Sequence, residues 1–135
     1  MIKQKRPKYG NSKVEYQGMS FDSKREMQRY IVLKEAEERG LISDLRTQVV
    51  FELVPSITEE YVKHLKTKDK IETRVAQRAI LYKADFVYKK DGKEVIEDVK
   101  VAKGLIPKEF TLKEKLFFWR FGKKIKLVFK PNDEI

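Results

Sequence analysis

The stretch YKADFVYKKDGKEVIEDVK, residues 82–100, holds the side chains whose types and spacing are best suited to chemistry. An Asp-Gly dipeptide at 91–92 between two alternating runs is typical of a two-residue β-hairpin turn. With that turn, Asp85 lies directly opposite Asp98, and both side chains point to the same face. Strand alternation adds Lys100 to that face. The sequence therefore predicts two carboxylates and one ammonium group on a single patch.

Two carboxylates on facing strands repel each other, so their presence requires a reason. They can share a proton or hold a cation. Sharing a proton is the chemistry of aspartic proteases, but neither Asp-Thr-Gly nor Asp-Ser-Gly occurs in this chain. Oxygen ligands, with no cysteine and only His64 as histidine, favour Mg²⁺ or Mn²⁺ over zinc. The alternative is a solvent-facing hairpin whose charges pair with lysines.

A lysine beside a divalent cation suits phosphate chemistry. Its ammonium group can orient the attacking water or offset the negative charge that develops on phosphate oxygens. Glu97 precedes Asp98 and so points to the other face of the hairpin, which makes it the weaker ligand candidate.

The elements that position these groups begin with a helix over about 22–39. Ser23 and Glu26 have the spacing of a capping box, and Gly40 is a natural stop. A β-rich strand follows over 47–55 and ends at a proline.

Beyond that strand, residues 56–72 are polar and fit either a short helix or a loop. After the hairpin, a second helix is predicted between Pro107 and Gly122, followed by a strand over 124–130. The fold class is therefore α/β (an α+β mixed sheet), in the order helix-strand-strand-strand-helix-strand. Helical spacing predicts a core position for four apolar residues of the second helix, with stacking on bases as the alternative: Leu112, Leu116, Phe117 and Trp119.

The charge of the chain favours a polyanionic partner. Lysine plus arginine number 31 against 21 aspartate plus glutamate, a formal net charge of +10. Such a small basic domain suits nucleic acid first and an anionic membrane surface second, and a solubility charge without a partner is the alternative. Basic residues concentrate in an N-terminal arm, residues 1 to about 18, which we expect to be partly mobile without its partner.

Length and composition exclude several classes. The 135 residues fit one domain, 1–135, with its own core. Absence of cysteine excludes a disulfide framework and a cysteine nucleophile, and fits a cytoplasmic protein. No apolar run approaches the about 18 residues of a membrane span, so we expect no membrane partner.

The stretches FDSKRE, QVVFEL, ADFVY and EDVK together carry a resemblance to a known family. The chain resembles the PD-(D/E)XK nuclease superfamily, and more closely a group of small phage-encoded proteins, from about Tyr9 to Phe129. The resemblance implies a restriction-endonuclease-like core. Two departures are that Ala84 stands where the superfamily has its proline, and that Lys100 is followed by Val-Ala-Lys-Gly rather than an immediate glycine.

The resemblance also implies roles for individual residues. It implies metal ligation by Asp85, Asp98 and Glu26, a catalytic role for Lys100, and a neutral-ligand or water-orienting role for Gln48. The alternatives are a capping partner of the helix for Glu26 and an ordinary surface side chain for Gln48. Basic side chains expected to hold the nucleic acid backbone are Lys3, Lys5, Arg6, Lys8, Lys103, Lys108 and Lys113, although Lys103 is also consistent with simple solvation.

The resulting expectation is an Mg²⁺-dependent DNA endonuclease, with Mn²⁺ able to substitute. By resemblance it acts on branched DNA, as Holliday-junction resolvases do, in phage replication and recombination within the bacterial host cytoplasm. A homodimer is expected because two cuts need two sites. The alternatives are a non-catalytic nucleic-acid-binding module on the same fold and a structural basic protein whose hairpin charges are incidental.

Overall fold

The computed structural model describes residues 12–135. Its elements in chain order are β1 (Val14–Tyr16), β2 (Met19–Phe21), α1 (Lys24–Glu38), β3 (Ser43–Val54), β4 (Ile57–His64), β5 (Asp69–Gln77), β6 (Ile80–Lys90), β7 (Lys93–Val99), a short 3-10 turn (Lys103–Leu105), α2 (Lys108–Phe121) and β8 (Lys126–Val128). Both predicted helices and all four predicted strands are among them. The prediction of a mixed α+β fold is confirmed.

A four-stranded sheet in the order β3-β6-β7-β8 forms the centre of the molecule. The first three strands are antiparallel, and β8 joins parallel to β7. Tyr30 and Leu33 of α1 pack with Phe86 in one apolar cluster, whereas Phe117 of α2 packs with Val87 in another. Because adjacent strand residues point to opposite faces, the two helices cover opposite faces of the sheet.

The hairpin of β6 and β7 has the predicted register. Lys90 pairs with Lys93 and Val87 with Ile96. Asp91 and Gly92 both have positive φ, 52° and 76°, as a turn matching the strand twist requires. The β6–β7 pairing ends at Phe86 and Glu97, so Asp85 and Asp98 come one step beyond the last paired residues.

The side-chain alternation of β6 is broken at Asp85. Tyr82 and Ala84 pack in the cluster beneath α2, but Phe86, which would share their face in a regular strand, packs beneath α1. On the neighbouring strand β3, Gln48 has a φ of 54°. The residues before and after Gln48 pair with Phe86 and Ala84, so Gln48 lies across from Asp85. Irregular strand geometry of this kind re-aims side chains, and here it lies at two predicted site residues.

Both helices begin and end where the sequence indicates. The Oγ of Ser23 accepts a hydrogen bond from the backbone amide of Glu26 at 3.1 Å, which caps α1. Gly40 follows α1 with a φ of 78°, and Gly122 ends α2 with a φ of 67°. Pro107 occupies the N-cap position of α2. Capping therefore fixes the first turn of α1, which contains Glu26.

The structure differs from expectation in three further segments. Residues 56–72, expected as a short helix or a loop, belong mostly to β4 and β5, which form a long separate hairpin. Residues 14–21, partly assigned to the basic arm, form the β1–β2 hairpin. On α2, Phe117 is buried and Leu116 packs against the core as predicted, but Leu112 and Trp119 are exposed, because the sheet covers only the face that carries Phe110 and Phe117.

The arm residues Lys3, Lys5, Arg6 and Lys8 lie outside the described residues. In the part of the chain that is described, neither helix combines the length and the apolar character that a membrane crossing requires.

Candidate functional site

Three carboxylates from three different elements face one another near the end of the β6–β7 pairing. Glu26, in the first turn of α1, is buried and accepts a hydrogen bond from Nε2 of Gln48. Oδ2 of Asp85 accepts from the backbone amide of Val99 at 2.8 Å. Asp98 is buried at the end of β7. The structure therefore brings together four residues that the sequence placed in one site, Gln48 included.

Each carboxylate is held by its own donor, so the three are not arranged as a finished ligand set. Among residues 12–135, no group of three or more His, Cys, Asp or Glu side chains has the closeness of a preformed metal site. The carboxylates are nevertheless near enough to interact, because the charge of Asp98 contributes to the raised pKa values of both Asp85 and Glu26.

The pKa of Asp85 is raised to about 8, chiefly by burial and then by the charges of Asp98 and Glu26. The amide of Val99 and the ammonium of Lys100 oppose that increase but do not cancel it. The pKa of Glu26 is raised to about 7, again chiefly by burial, with repulsion from Asp22 next and from Asp98 as a smaller contribution. Near neutral pH, Asp85 and Glu26 in the metal-free protein therefore keep protons that solvent-exposed carboxyl groups would have released.

This donor set fits a hard divalent cation. The ligand atoms are carboxylate oxygens, which Mg²⁺ and Mn²⁺ prefer. A bound dication would favour the ionised forms of Asp85 and Glu26 and so oppose the burial and the repulsion that raise their pKa values. The observation that supports the fit is thus the approach of three carboxylates, of which Asp98 alone forms an ion pair among the described residues, with Lys100.

Lys100 lies beside the carboxylates and is itself positioned by two contacts. Its Nζ is 2.9 Å from Oδ1 of Asp98 and 3.8 Å from the centroid of the Phe110 ring. The lysine lines an open pocket of about 270 Å³ together with Asp98 and Tyr82. Lys83 and Lys113 line the same pocket. A phosphate group in this pocket would therefore meet three lysines, together with the carboxylates of Asp98 and Glu109.

Among the described lysines predicted to contact the nucleic-acid backbone, Lys113 lines that pocket. Its Nζ is also 3.1 Å from Oε1 of Glu109. Lys103, in the 3-10 turn, and Lys108, at the start of α2, are both exposed. Their position is compatible with contact to a large ligand outside the pocket.

Sequence reasoning missed three residues of the site. The hydroxyl of Tyr82 donates to Oδ2 of Asp98 at 2.7 Å, and burial together with the Asp98 charge raises the pKa of Tyr82, so that it remains a donor. Arg25 donates from Nη1 to the carbonyl oxygens of Lys100 and Val101, at 3.2 and 2.8 Å. Lys83, on the pocket wall, partly opposes the rise in the pKa of neighbouring Glu26, which burial chiefly causes. Lys83 could have been found from the sequence, because strand alternation places it on the same face as Asp85, two residues away. No local signal marks Tyr82 or Arg25.

Glu97 points away from this site, as predicted. Its carboxylate pairs with the buried guanidinium of Arg29, whose Nη2 is 2.7 Å from Oε2, and it also accepts from the hydroxyl of Tyr88. Arg29 donates further to the carbonyl oxygens of Pro131 and Asp133, at 3.0 and 2.5 Å. This network anchors the C-terminal segment to α1 and is a structural feature rather than a second site.

Comparisons with curated proteins and with solved structures gave no match for this chain. A family model described as "Protein of unknown function (DUF1064)" matches residues 6–132, which is nearly the whole length. The chain therefore belongs to the DUF1064 family.

Proposed function

We propose that this protein is a metal-dependent DNA endonuclease that hydrolyses phosphodiester bonds. The observation that carries the proposal is the convergence of buried Glu26 and Asp98 with partly buried Asp85 beside Lys100. The arrangement of two helices around the four-stranded sheet is compatible with a restriction-endonuclease-like core. The resemblance of the FDSKRE, ADFVY and EDVK stretches to PD-(D/E)XK nucleases supports the same reading.

Asp85 and Asp98, with Glu26, are the residues that would hold Mg²⁺ or Mn²⁺. When bound, such an ion lowers the pKa of a coordinated water and neutralises phosphate charge. Tyr82 holds one oxygen of Asp98 and Lys100 the other, so the carboxylate has a fixed orientation. Gln48 holds Glu26 in the same way.

Lys100 is the candidate catalytic group of the chain itself. Its ammonium is partly exposed to the pocket, so it can reach a phosphate oxygen or a water there. A fixed positive charge at that point stabilises the negative charge that develops during hydrolysis. The Arg25 contacts to the backbone of residues 100 and 101 keep this segment against α1.

A branched DNA substrate, two cuts by a homodimer and a role in phage recombination remain part of the proposal, on the basis of the resemblance. The basic charge of the chain supports nucleic acid as the substrate class. The second candidate is a nucleic-acid-binding module without activity. It is favoured less because the carboxylates, Lys100 and Gln48 are all present in one site.

A cleavage panel tests the proposal. Duplex, flap, single-stranded and four-way-junction DNA are each incubated with the full chain in Mg²⁺, Mn²⁺ or EDTA. We expect cleavage of at least one DNA with either metal and none in EDTA, with the junction cut fastest. Binding without cleavage under every metal condition would instead support the non-catalytic module.

A further inference from the structure

On one face of the β4–β5 hairpin the polar side chains pair with one another, whereas the other face carries exposed apolar side chains. On the first, the guanidinium of Arg74 stacks on Tyr61 at 4.7 Å and pairs with Glu59 at 2.7 Å. The Tyr61 hydroxyl also donates to Glu72 at 2.9 Å. The opposite face, which follows from the register, is here called the hairpin face, and its members are Thr58, Glu60, Val62, His64, Asp69, Ile71, Thr73 and Val75.

Apolar side chains on the hairpin face are open to solvent. Val62, Ile71 and Val75 are all exposed, Ile71 by 69%. The hairpin makes no extensive contact with another described helix or strand. A two-stranded hairpin alone is only marginally stable in water, so a partner that covers this face would stabilise it.

The charges of the hairpin face indicate the chemistry of that partner. Its acidic residues are Glu60 and Asp69, and no lysine or arginine is on it. Asp69 already contacts His64 at 2.8 Å, whereas Glu60 forms no ion pair within residues 12–135. A polyanion does not suit such a face. The suitable partner is an apolar surface with a positive charge beside it.

The outer side of α2 is a surface of that description. Leu112 and Trp119 are seven residues apart, on the side of the helix opposite the buried Phe110 and Phe117. Trp119 is 76% exposed, which is unusual for a residue that is mostly buried in proteins and enriched at interfaces. Lys115 lies one turn before Trp119 and forms no ion pair among the described residues. Leu112, Lys115 and Trp119 are here called the α2 face.

We propose that the hairpin face of one copy of this chain docks on the α2 face of a second copy, and that the contact is reciprocated in a two-fold dimer. Val62, Ile71 and Val75 would cover Leu112 and Trp119, and Glu60 would meet Lys115. The complementary charge and the two exposed apolar surfaces on one chain favour a second copy over an unrelated protein. Two identical contacts result, as cyclic two-fold symmetry requires.

Sedimentation velocity of the full chain without DNA tests this directly. The wild type is expected to be a dimer, and Glu60→Lys or Lys115→Glu to raise the dimer dissociation constant about tenfold or more, because each places like charges together at both contacts. The double variant Glu60→Lys with Lys115→Glu restores opposite charges and is expected to return to near the wild-type value. A monomeric wild type, or a double variant as weak as its parents, would overturn the proposal.

The apolar part is tested by complementation. Ile71→Ser and Trp119→Ser are each expected to be largely monomeric, while Leu41→Ser, at a similarly exposed apolar residue outside both faces, remains dimeric. Mixing Ile71→Ser with Trp119→Ser leaves one intact contact and is expected to recover part of the dimer. Two outcomes would rule out the proposed contact. One is that both single variants remain dimeric, and the other is that the mixture contains no more dimer than each variant alone at the same total concentration. Since no DNA is present, the result does not depend on the proposed nuclease activity.

Discussion

At the scale of single residues, the carboxylates and Lys100 have distinct parts in the proposed chemistry. The carboxylates carry charge that burial makes unfavourable, and Lys100 is a cation held by Asp98 and by the face of Phe110. The proximity of Asp85 and Asp98 was predictable because the Asp-Gly turn fixes the hairpin register, which places them one step beyond the last paired residues. Tyr82 and Arg25 were not, because their partners are 16 and 75 or 76 residues away and no local pattern encodes such contacts.

Replacing Lys100 with alanine is expected to reduce the rate of cleavage much more than the affinity for DNA. A single transition-state contact of this type contributes about 3 kcal/mol, or about a hundredfold or more in rate. Single-turnover cleavage and DNA binding are measured separately. Lys113→Ala, at a lysine on the same pocket, is the matched control, with affinity reduced more than rate. An equal decrease of binding and rate in Lys100→Ala would make it a phosphate anchor.

The stability of the metal-free protein is expected to fall as pH rises from about 4 to about 8. The pKa values of Asp85 and Glu26 are raised in the folded state, to about 8 and about 7, so the folded protein keeps protons that the unfolded chain releases. Each retained proton lowers the free energy of unfolding by up to about 1.4 kcal/mol per pH unit. Urea unfolding in EDTA at several pH values measures this slope.

Two variants control that experiment. Asp85→Asn removes one of the two groups and is expected to flatten the pH dependence and to be more stable than the wild type at pH 8. Asp91→Asn changes an exposed turn aspartate and leaves the slope as it was. Unfolding curves for the wild type and Asp85→Asn that shift in parallel with pH would contradict the assigned pKa shift.

At the scale of elements, the site lies where two strands depart from regular geometry. The side-chain alternation of β6 changes at Asp85, and Gln48 on β3 has a φ of 54°. Positive φ at a residue with a side chain has a cost, and it places the Gln48 amide against Glu26. The sequence predicted the strands themselves, but a backbone irregularity at a glutamine has no signature in it.

Substituting Gln48 in two ways separates the backbone from the amide. Gln48→Gly and Gln48→Ala both remove the hydrogen bond to Glu26, but glycine tolerates positive φ. We expect Gln48→Gly to be more stable than Gln48→Ala by about 1 kcal/mol, whereas at a regular strand position glycine would be less stable than alanine. Thermal or urea unfolding measures the difference. Greater stability of the alanine variant would show that Gln48 has ordinary strand geometry in solution.

The β4–β5 hairpin shows why one element escaped prediction. Its two faces mix charged and apolar residues, because nothing in the described chain buries either face, so period-two alternation is absent. Its turn also lacks the Asn-Gly or Asp-Gly signal that identified the β6–β7 hairpin. Trp119 was wrongly predicted to be buried because α2 has too many apolar positions rather than too few. Apolar residues surround much of α2, so spacing alone did not distinguish the face against the sheet.

At the scale of the whole molecule, positive charge is the feature that favours a polyanionic ligand such as the proposed DNA substrate. The chain has a net charge of +10, and much of its positive charge lies outside the candidate site. Four basic residues fall within the first eight positions. Association of such a protein with DNA depends on salt through the release of counterions.

Deleting residues 1–8 is expected to weaken DNA binding at low salt and to flatten its salt dependence. On duplex DNA, the slope of log affinity against log salt falls by about 0.9 for each phosphate that the protein no longer neutralises. Binding at five salt concentrations measures it, and a full-length variant with Lys3, Lys5, Arg6 and Lys8 changed to glutamine separates charge from length. Parallel lines for deletion and wild type would mean that these residues do not touch the DNA.

The most direct test of the proposed site is the activity of Asp98→Asn on the DNA that the wild type cuts fastest in Mg²⁺. Asparagine keeps an oxygen for the Tyr82 hydroxyl but removes the proposed metal ligand and a charge that repels phosphate. We predict that Asp98→Asn binds this DNA at least as tightly as the wild type and does not cleave it, while Asp91→Asn cleaves normally. Cleavage by folded Asp98→Asn at the wild-type rate would contradict the assignment of this site to phosphodiester hydrolysis.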